Sequence, residues 1–414
     1  MLTIAASLVR SKVAAVTVGA VGVGLTAVYQ AIAGLMTNLC NLGLFDSGVQ
    51  VLSKEYASND PARVHKTVGM LRLWELMTGT AAMLLTMLFS PLLCRLYFGD
   101  PFSHWHSVLL LSLVPFCSIV TGIEMVVLKS LQRTQKLTLS ITIVSVSSIV
   151  IALPLYFLMG MHGIVFILVA SAVSSALITA GFAYSVDSTK PDIMLIRSGL
   201  STLWKASEPT IMIGITLVIT GVASMGTEFV LQTYISTVAT LAVVGFYKTG
   251  YLLSITYPSL VFTAVNNDYY PRLASLSSNT MERNILISRQ TVTLLLIVTP
   301  CILLFVCLVP WIVPLLLSDE FRVIVPMVQI GVVSVIVKSV SLPLCYVPLA
   351  TGQKWDFVVM ELVSYAGLVA CVIIGYHESG LLGIGYGILF SNFIDFLYSY
   401  VLCKRKYAFH YVFK

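Results

Sequence analysis

ITIVSVSSIVIALPLYFLMGMHGIVFILVASAVSSALITAGFAY, from Ile141 to Tyr184, contains no Asp, Glu, Lys or Arg and is punctuated only around Gly160–Gly163. A helix needs about 20 apolar residues to cross the hydrocarbon core of a bilayer. The stretch therefore reads as two spanning helices back to back, near 138–159 and 162–185. Upstream, similar runs lie near 2–19, 24–50, 68–90 and 106–128. Downstream comes a polar stretch, Val186 to Lys205, and then runs near 207–236, 243–270, 290–309, 323–350, 356–376 and 380–403. The pattern predicts an all-α polytopic membrane protein of about twelve transmembrane helices.

Composition agrees. Of 414 residues, 58% are apolar and 10% charged, with a mean hydropathy of +0.95, against about 25% charged in soluble domains. Too few polar residues are available to cover a water-facing surface, which excludes a soluble enzyme, a disordered chain and a nucleic-acid binder. The eight cysteines show no CxxC or CxH spacing and sit mostly in apolar runs, where Cys behaves as a small hydrophobe. They form neither a disulfide framework nor a metal site. No cleavable signal peptide is evident; the first span is short, and further residues are expected ahead of it.

The net charge of +6 is less informative than its placement. If the runs alternate across the membrane, one face receives seventeen of the basic residues, among them Lys54, Arg63, Lys66, Lys129, Arg133, Lys136, Lys190, Arg272, Arg283, Lys354 and Lys404–Lys406, and the other only Arg95 and Arg322. Such a bias marks the cytoplasmic side and puts both termini there. The halves also resemble each other: SPLLCRLYFGD (Ser90–Asp100) matches VPWIVPLLLSD (Val309–Asp319), Gln135-Lys136 matches Gln353-Lys354, and Gly24-Leu25 matches Gly245-Phe246, all about 220 residues apart. This predicts lobes at 1–186 and 206–414 joined by a cytoplasmic linker at 187–205. The six-helix lobes would be related by a pseudo-twofold axis along the membrane normal, an arrangement known from transporters.

No HExxH, GxSxG or nucleophile–base pair is present. GAVGVG (Gly19–Gly24) lies between spans with no strand before it and reads as a tight turn. His104 and His106, on the longest loop of the sparsely charged face, read as polar surface; an HxH pair alone makes no metal site. The intramembrane charges carry the information, because such charges face a bundle interior or an aqueous cavity. The cations are Arg10, Lys12, Arg72, Lys248 and Lys338; the acids include Glu75, Glu124, Glu208, Glu228, Glu361 and Asp395, of which Glu124, Glu208, Glu228, Asp395 and Glu75, with Arg72, are candidates for coupling or for ion pairs. Arg72 and Glu75 are placed to pair at i,i+3, and Lys248 and Lys338 to snorkel or to meet a ligand. Arg10 and Lys12 need an anionic partner, which is Glu228, another acid or a ligand. About 200° of helix rotation separates them, so only Arg10 is expected to point at a cavity. Cations between two lobes suit phosphate oxygens, and Gln30 and Asn38, with Tyr29, Thr37 and Asn41, suit sugar hydroxyls.

RSKVAAVTVGAVGVGL (Arg10–Leu25), NLGLFDSGVQVLSKEY (Asn41–Tyr56), VVGFYKTGYLLSITYPSLVFTAVNNDYYPRLASL (Val243–Leu276), PLLLSDEF (Pro314–Phe321) and YVPLATGQKWDF (Tyr346–Phe357) resemble the polysaccharide-export branch of the multidrug/oligosaccharidyl-lipid/polysaccharide flippase superfamily, and most of all its Wzx-type O-antigen translocases. DYYPRL (Asp268–Leu273) is the most specific mark. The resemblance covers essentially the whole chain. It implies a cavity between two six-helix lobes, a basic first-helix residue in it (here Arg10), and flipping of an undecaprenyl-pyrophosphate-linked oligosaccharide across the bacterial inner membrane by alternating access. No cofactor is implied; the partners are the lipid-linked oligosaccharide, the bilayer and other polysaccharide-assembly proteins. Two other functions compete: a drug or cation exporter of the same superfamily, which would carry acids rather than cations in its cavity, and a membrane enzyme of envelope polysaccharide assembly, which would want a sizeable loop with clustered acid and base groups.

Overall fold

A computed structural model describes the backbone of residues 2–192, 200–276 and 279–412; the side chains of residues 2–5, 200–217, 263, 264, 266 and 267 lie outside the description. The described residues contain no strand. They form α1 (Leu2–Thr17), α2 (Gly19–Cys40), α3 (Leu44–Ala57), α4 (Pro61–Phe98), α5 (Trp105–Leu111), α6 (Leu113–Ser130), α7 (Thr134–Met159), α8 (Gly163–Tyr184), α9 (Leu200–Val238), α10 (Leu241–Tyr251), α11 (Tyr257–Ser275), α12 (Thr280–Leu316), α13 (Val325–Cys345) and α14 (Lys354–Lys406). With α2–α3, α5–α6 and α10–α11 each taken as one pass and α14 as two, the described residues make 12 helical passes.

The breaks between passes follow from local chemistry. Asp60 caps α4 by accepting from the amides of Ala62 and Arg63, with Pro61 in the first helical position. The 38 residues of α4 extend about 57 Å, well beyond a bilayer core, so the helix overruns the apolar run at 68–90 at both ends. GAVGVG is not a loop: α1 ends at Thr17, and a turn at Val18–Gly19 leads directly into α2. In α14 the helix breaks at Ser379 and Gly380, where Gly380 adopts φ 59° and ψ −136°, a region open essentially only to glycine. The resulting hairpin closes tightly because Gly375 and Gly383 face each other; a Cβ on either would overlap the other's carbonyl oxygen. Small residues of this kind let helices approach in lipid, where close packing drives association.

Large apolar side chains such as Phe157, Leu158, Leu296, Trp311 and Leu315 stand exposed along the helices, as lipid-facing residues do. Residue contacts group the chain into two units, Met1–Val238 and Ala239–Lys414. In the first, α9 packs on α2, α3 and α4, and Leu44, Leu52, Val68, Leu71, Ile119 and Ile123 form a core between α3, α4 and α6. In the second, the C-terminal segment folds back along α12. The Arg283 guanidinium donates to the Tyr407 carbonyl at 2.5 Å, and Asn284 donates to the Ala408 carbonyl at 3.1 Å. DYYPRL belongs to this packing: Tyr269 is buried and donates to the Pro343 carbonyl at 2.9 Å, while Asp268 and Arg272 pair at the surface.

Within each unit, chain ends assigned to the basic face meet. His65 contacts Thr189 at 2.8 Å and Lys136 donates to Ser185 Oγ at 2.8 Å in the first. Lys406 reaches Asp356 at 2.6 Å in the second.

Candidate functional site

A polar cavity of about 480 Å³ opens inside the first unit, enclosed by α1, α2, α6, α7 and α8 with one residue from α5. The helical repeat explains its lining. On α2, Tyr29, Ala33 and Thr37 form one row at i, i+4 and i+8, and Gln30, Gly34 and Asn38 form the adjacent row. The small pair Ala33 and Gly34 leaves room between the polar residues above and below. From α1 come Ser7 and Arg10, one turn apart; α6 gives Ser118, α7 gives Ser145 and Ser148, and α8 gives Ser171 and Ser175.

Among the described residues, Arg10 is the single charged residue in this lining. The other polar groups are hydroxyls and amides, and several bond to their own helix. Thr37 donates to the Ala33 carbonyl at 2.8 Å, Asn38 Nδ2 to the Gly34 carbonyl at 3.0 Å, and Ser145 to the Ile141 carbonyl at 2.8 Å. Their oxygens remain able to accept. Ser171 Oγ is buried with no protein hydrogen-bond partner. Thr121 and Ser175 meet at 3.2 Å and join α6 to α8 beside the cavity. At one end, the Tyr29 hydroxyl lies 3.2 Å from His104 Nδ1. The His104 ring stacks on Phe98 with centroids 4.1 Å apart, and burial holds its imidazole below the ordinary histidine range.

Arg10, Gln30 and Asn38 thus share one cavity. Lys12, on the same helix as Arg10, is half-buried and outside this lining, as the rotation between the two requires. Glu228, considered as a partner for them, accepts from Gln232 Nε2 at 2.9 Å. Glu208 lies outside the described side chains.

Arg72 has a different partner from the one its i,i+3 spacing suggests. Its Nε and Nη2 donate to the two carboxylate oxygens of Glu124, each at 2.8 Å, in a fork. Its Nη1 donates to the carbonyls of Asp187, at 2.9 Å, and Thr189. The Tyr184 ring covers the guanidinium at 3.6 Å. Glu75 lies nearby, buried, with no hydrogen-bond partner for its Oε2.

In the second unit, Lys338 on α13 binds Asp395 in the second half of α14 at 3.0 Å, and Ser341 donates to the same carboxylate oxygen at 2.8 Å. Lys338 borders a cavity of about 270 Å³ lined also by Tyr251, Glu361, Ser364, Tyr365 and Asn392. Beside it, between α10 and α11, the helix widens to a π-helical turn at Leu252–Thr256, a feature frequent at functional sites. Lys248 is half-buried on α10 and outside the lining of this cavity.

The serines of α6, α7 and α8 escape a sequence reading, because a Ser in an apolar run looks like small filler. Their spacing, 145 and 148 on one helix and 171 and 175 on the next, is the signal that they share a face.

The fold is similar to three solved transporters. An inward-facing MATE family multidrug resistance transporter of the MOP superfamily superposes with a TM-score of 0.74 at 12% identity, over 94% of this chain and 93% of that one. The lipid II flippase MurJ, inward closed, gives 0.69 at 16% identity over 97% and 86%. A Vibrio cholerae MATE transporter gives 0.63 at 14% identity over 97% and 92%. At these identities the likeness speaks for the fold. Among curated protein sequences, none matches the chain. The family model described as polysaccharide biosynthesis protein matches residues 1–277, about two thirds of the sequence, and the chain therefore belongs to the polysaccharide biosynthesis protein family.

Proposed function

We propose that the protein flips a lipid-linked oligosaccharide, joined through pyrophosphate to an isoprenoid carrier such as undecaprenol, across the bacterial inner membrane by alternating access. One observation carries this reading: among the described residues, the lining of the 480 Å³ cavity pairs one cation, Arg10, with hydroxyl and amide groups and includes no carboxylate. A guanidinium fork fits phosphate oxygens, and Ser, Thr, Asn, Gln and Tyr side chains fit sugar hydroxyls. A cation exporter needs the opposite polarity. In the second unit Lys338 and Ser341 already hold Asp395, so Glu361 is the acid there that the alternative would use. The family description and the likeness to MurJ support a role in moving polysaccharide precursors rather than in bond formation. We assign the basic face and both termini to the cytoplasm, and the two copies of the six-helix repeat to lobes at 1–186 and 206–414.

Arg10→Ala tests the reading. At matched membrane expression it is expected to abolish export of surface polysaccharide and to weaken binding of an isoprenyl-pyrophosphate-linked oligosaccharide by purified protein at least about tenfold, the loss of one charge-assisted contact. Arg10→Lys is expected to keep part of both. Normal export and binding in Arg10→Ala, or efflux of cationic dyes that requires Glu361, would overturn it.

A further inference from the structure

The Arg72 cluster contains one guanidinium and the carboxyl groups of Glu124 and Glu75; the Asp187 carboxyl, 3.1 Å from His65, lies beside it. Arg72 commits Nε and Nη2 to Glu124 and Nη1 to two backbone carbonyls. Glu124 is thereby neutralised, and both of its oxygens are engaged. Glu75 stands one turn along α4 from Arg72. It is 6% exposed, and its Oε2 has no hydrogen-bond partner among the described residues. Its neighbours in sequence, Leu71 and Trp74, belong to the apolar core formed with Ile119 and Ile123. Among the described residues, the charged and titratable groups within its electrostatic reach are Arg72 on its own helix, Glu124 from α6 and Tyr184 from α8. A bare carboxylate here would be an uncompensated charge in an apolar interior, which is costly unless something neutralises it.

We infer that Glu75 is the binding site of an exchangeable monovalent cation, a proton or a sodium ion, and that its occupancy decides how Arg72 divides itself between Glu75 and Glu124. With Glu75 neutralised, Glu124 is the carboxylate that Arg72 holds, which is the geometry observed. When the cation leaves, the Glu75 carboxylate competes for the same guanidinium one turn away. Two junctions then loosen: the bridge from α4 to α6, and the grip of Arg72 on the carbonyls of Asp187 and Thr189 after α8. The first junction leads to the cavity. α6 carries both Glu124 and the cavity residue Ser118, and Thr121 between them ties α6 to Ser175. Cation release at Glu75 is thus transmitted along α6 to the cavity wall, which makes Glu75 the coupling site. That role rests on the transport reading; cation binding does not.

The test uses purified full-length protein in lipid vesicles without any lipid-linked substrate. In one arm, infrared difference spectra are recorded across the neutral pH range at fixed sodium. In the other, sodium is titrated at fixed pH. A carboxylic-acid carbonyl band that responds to pH in the wild type and is lost in Glu75→Gln identifies the proton. A saturable sodium response lost in Glu75→Gln identifies sodium. If Glu75→Gln does not fold, Glu75→Asp serves instead: it keeps the carboxyl group one methylene shorter and is expected to shift the midpoint of the response. No response to either cation, or a response unchanged in the variant, overturns the inference and leaves Glu75 a permanently neutral core acid. Arg10→Ala is expected to keep the cation response. Its failure to affect export would defeat the transport reading without touching this one.

Discussion

Each unit holds a cation and a carboxylate bridging two helices inside the apolar region, and the two pairs are built differently. In the first, Arg72 and Glu124 are sealed, with side chains 1% and 0% exposed; the fork is bidentate and the remaining donors end on backbone carbonyls. In the second, Lys338 is 29% exposed and Asp395 4%, and the lysine borders a cavity. The difference follows from the side chains. A guanidinium presents a planar array of donors, and a buried site can satisfy it completely. An ammonium is a point charge on a flexible stem that exchanges partners easily. The sealed pair acts as a staple between α4, α6 and the segment after α8, whereas the half-open pair retains access to whatever enters the cavity.

Breaking the staple is expected to have the largest effect. Arg72→Met leaves Glu124 buried without a partner, which typically costs about 3–5 kcal/mol. The expected outcome is little folded protein in the membrane and a strongly lowered unfolding temperature in detergent. Arg72→Lys keeps the charge but not the fork or the two carbonyl contacts, and is expected to recover less than half of the loss. Wild-type stability in Arg72→Met would show that Glu124 is not held as a charge by this pair.

This staple also shows where sequence reading ends. The passes were legible because lipid permits few alternatives: apolar runs long enough to cross must be helices, and polar or glycine-rich breaks separate them. Arg10, Gln30 and Asn38 could be grouped because they lie on the first two spans and the 3.6-residue period places Gln30 and Asn38 on one face. Arg72 and Glu75 are three residues apart and suggest a local pair. Nothing local reveals that Glu124, 52 residues further on, offers Arg72 a better fork. Such a choice depends on how α4 and α6 pack, through Leu71, Ile119 and Ile123. The break inside α14 was legible only as a boundary near residue 380; the facing glycines that make it a tight hairpin emerge from packing.

The Lys338 pair is expected to be more forgiving. Lys338→Met leaves Asp395 with its hydrogen bond from Ser341 and with a neighbouring cavity that admits water, so the cost is expected near 1–3 kcal/mol, that of an underpaired buried polar group. Lys338→Met combined with Asp395→Asn is expected to recover most of it, because no charge is then left unpaired. The same double exchange at Arg72 and Glu124 is expected to recover less, since the carbonyls of Asp187 and Thr189 lose their donor. Thermal unfolding of the two single and two double variants checks the contrast. Equal recovery at both sites would mean that the backbone contacts of Arg72 contribute nothing.

The smallest expected effect separates the two things Asp187 does beside the staple. Its backbone carbonyl receives Arg72, whereas its side chain faces His65, at 3.1 Å, and accepts from the Thr189 amide at 2.8 Å. Burial pushes the Asp187 carboxyl upward, but the hydrogen bonds from Thr189 and the charges of His65 and Arg72 together outweigh it and hold the group below the usual aspartate range. A carboxyl group depressed in the folded state adds stability that is fully present above its unfolded pKa, about 3.9, and is lost as the pH falls through its lower folded value. Asp187→Asn is therefore expected to cost about 1 kcal/mol or less at neutral pH, and its deficit relative to the wild type is expected to shrink as the pH drops below about 4. Unfolding temperatures of both proteins across that acid range measure the difference. A deficit that stays constant with pH would place the side chain's contribution in its hydrogen bonding rather than its charge, and no deficit at any pH would leave only the backbone carbonyl that receives Arg72.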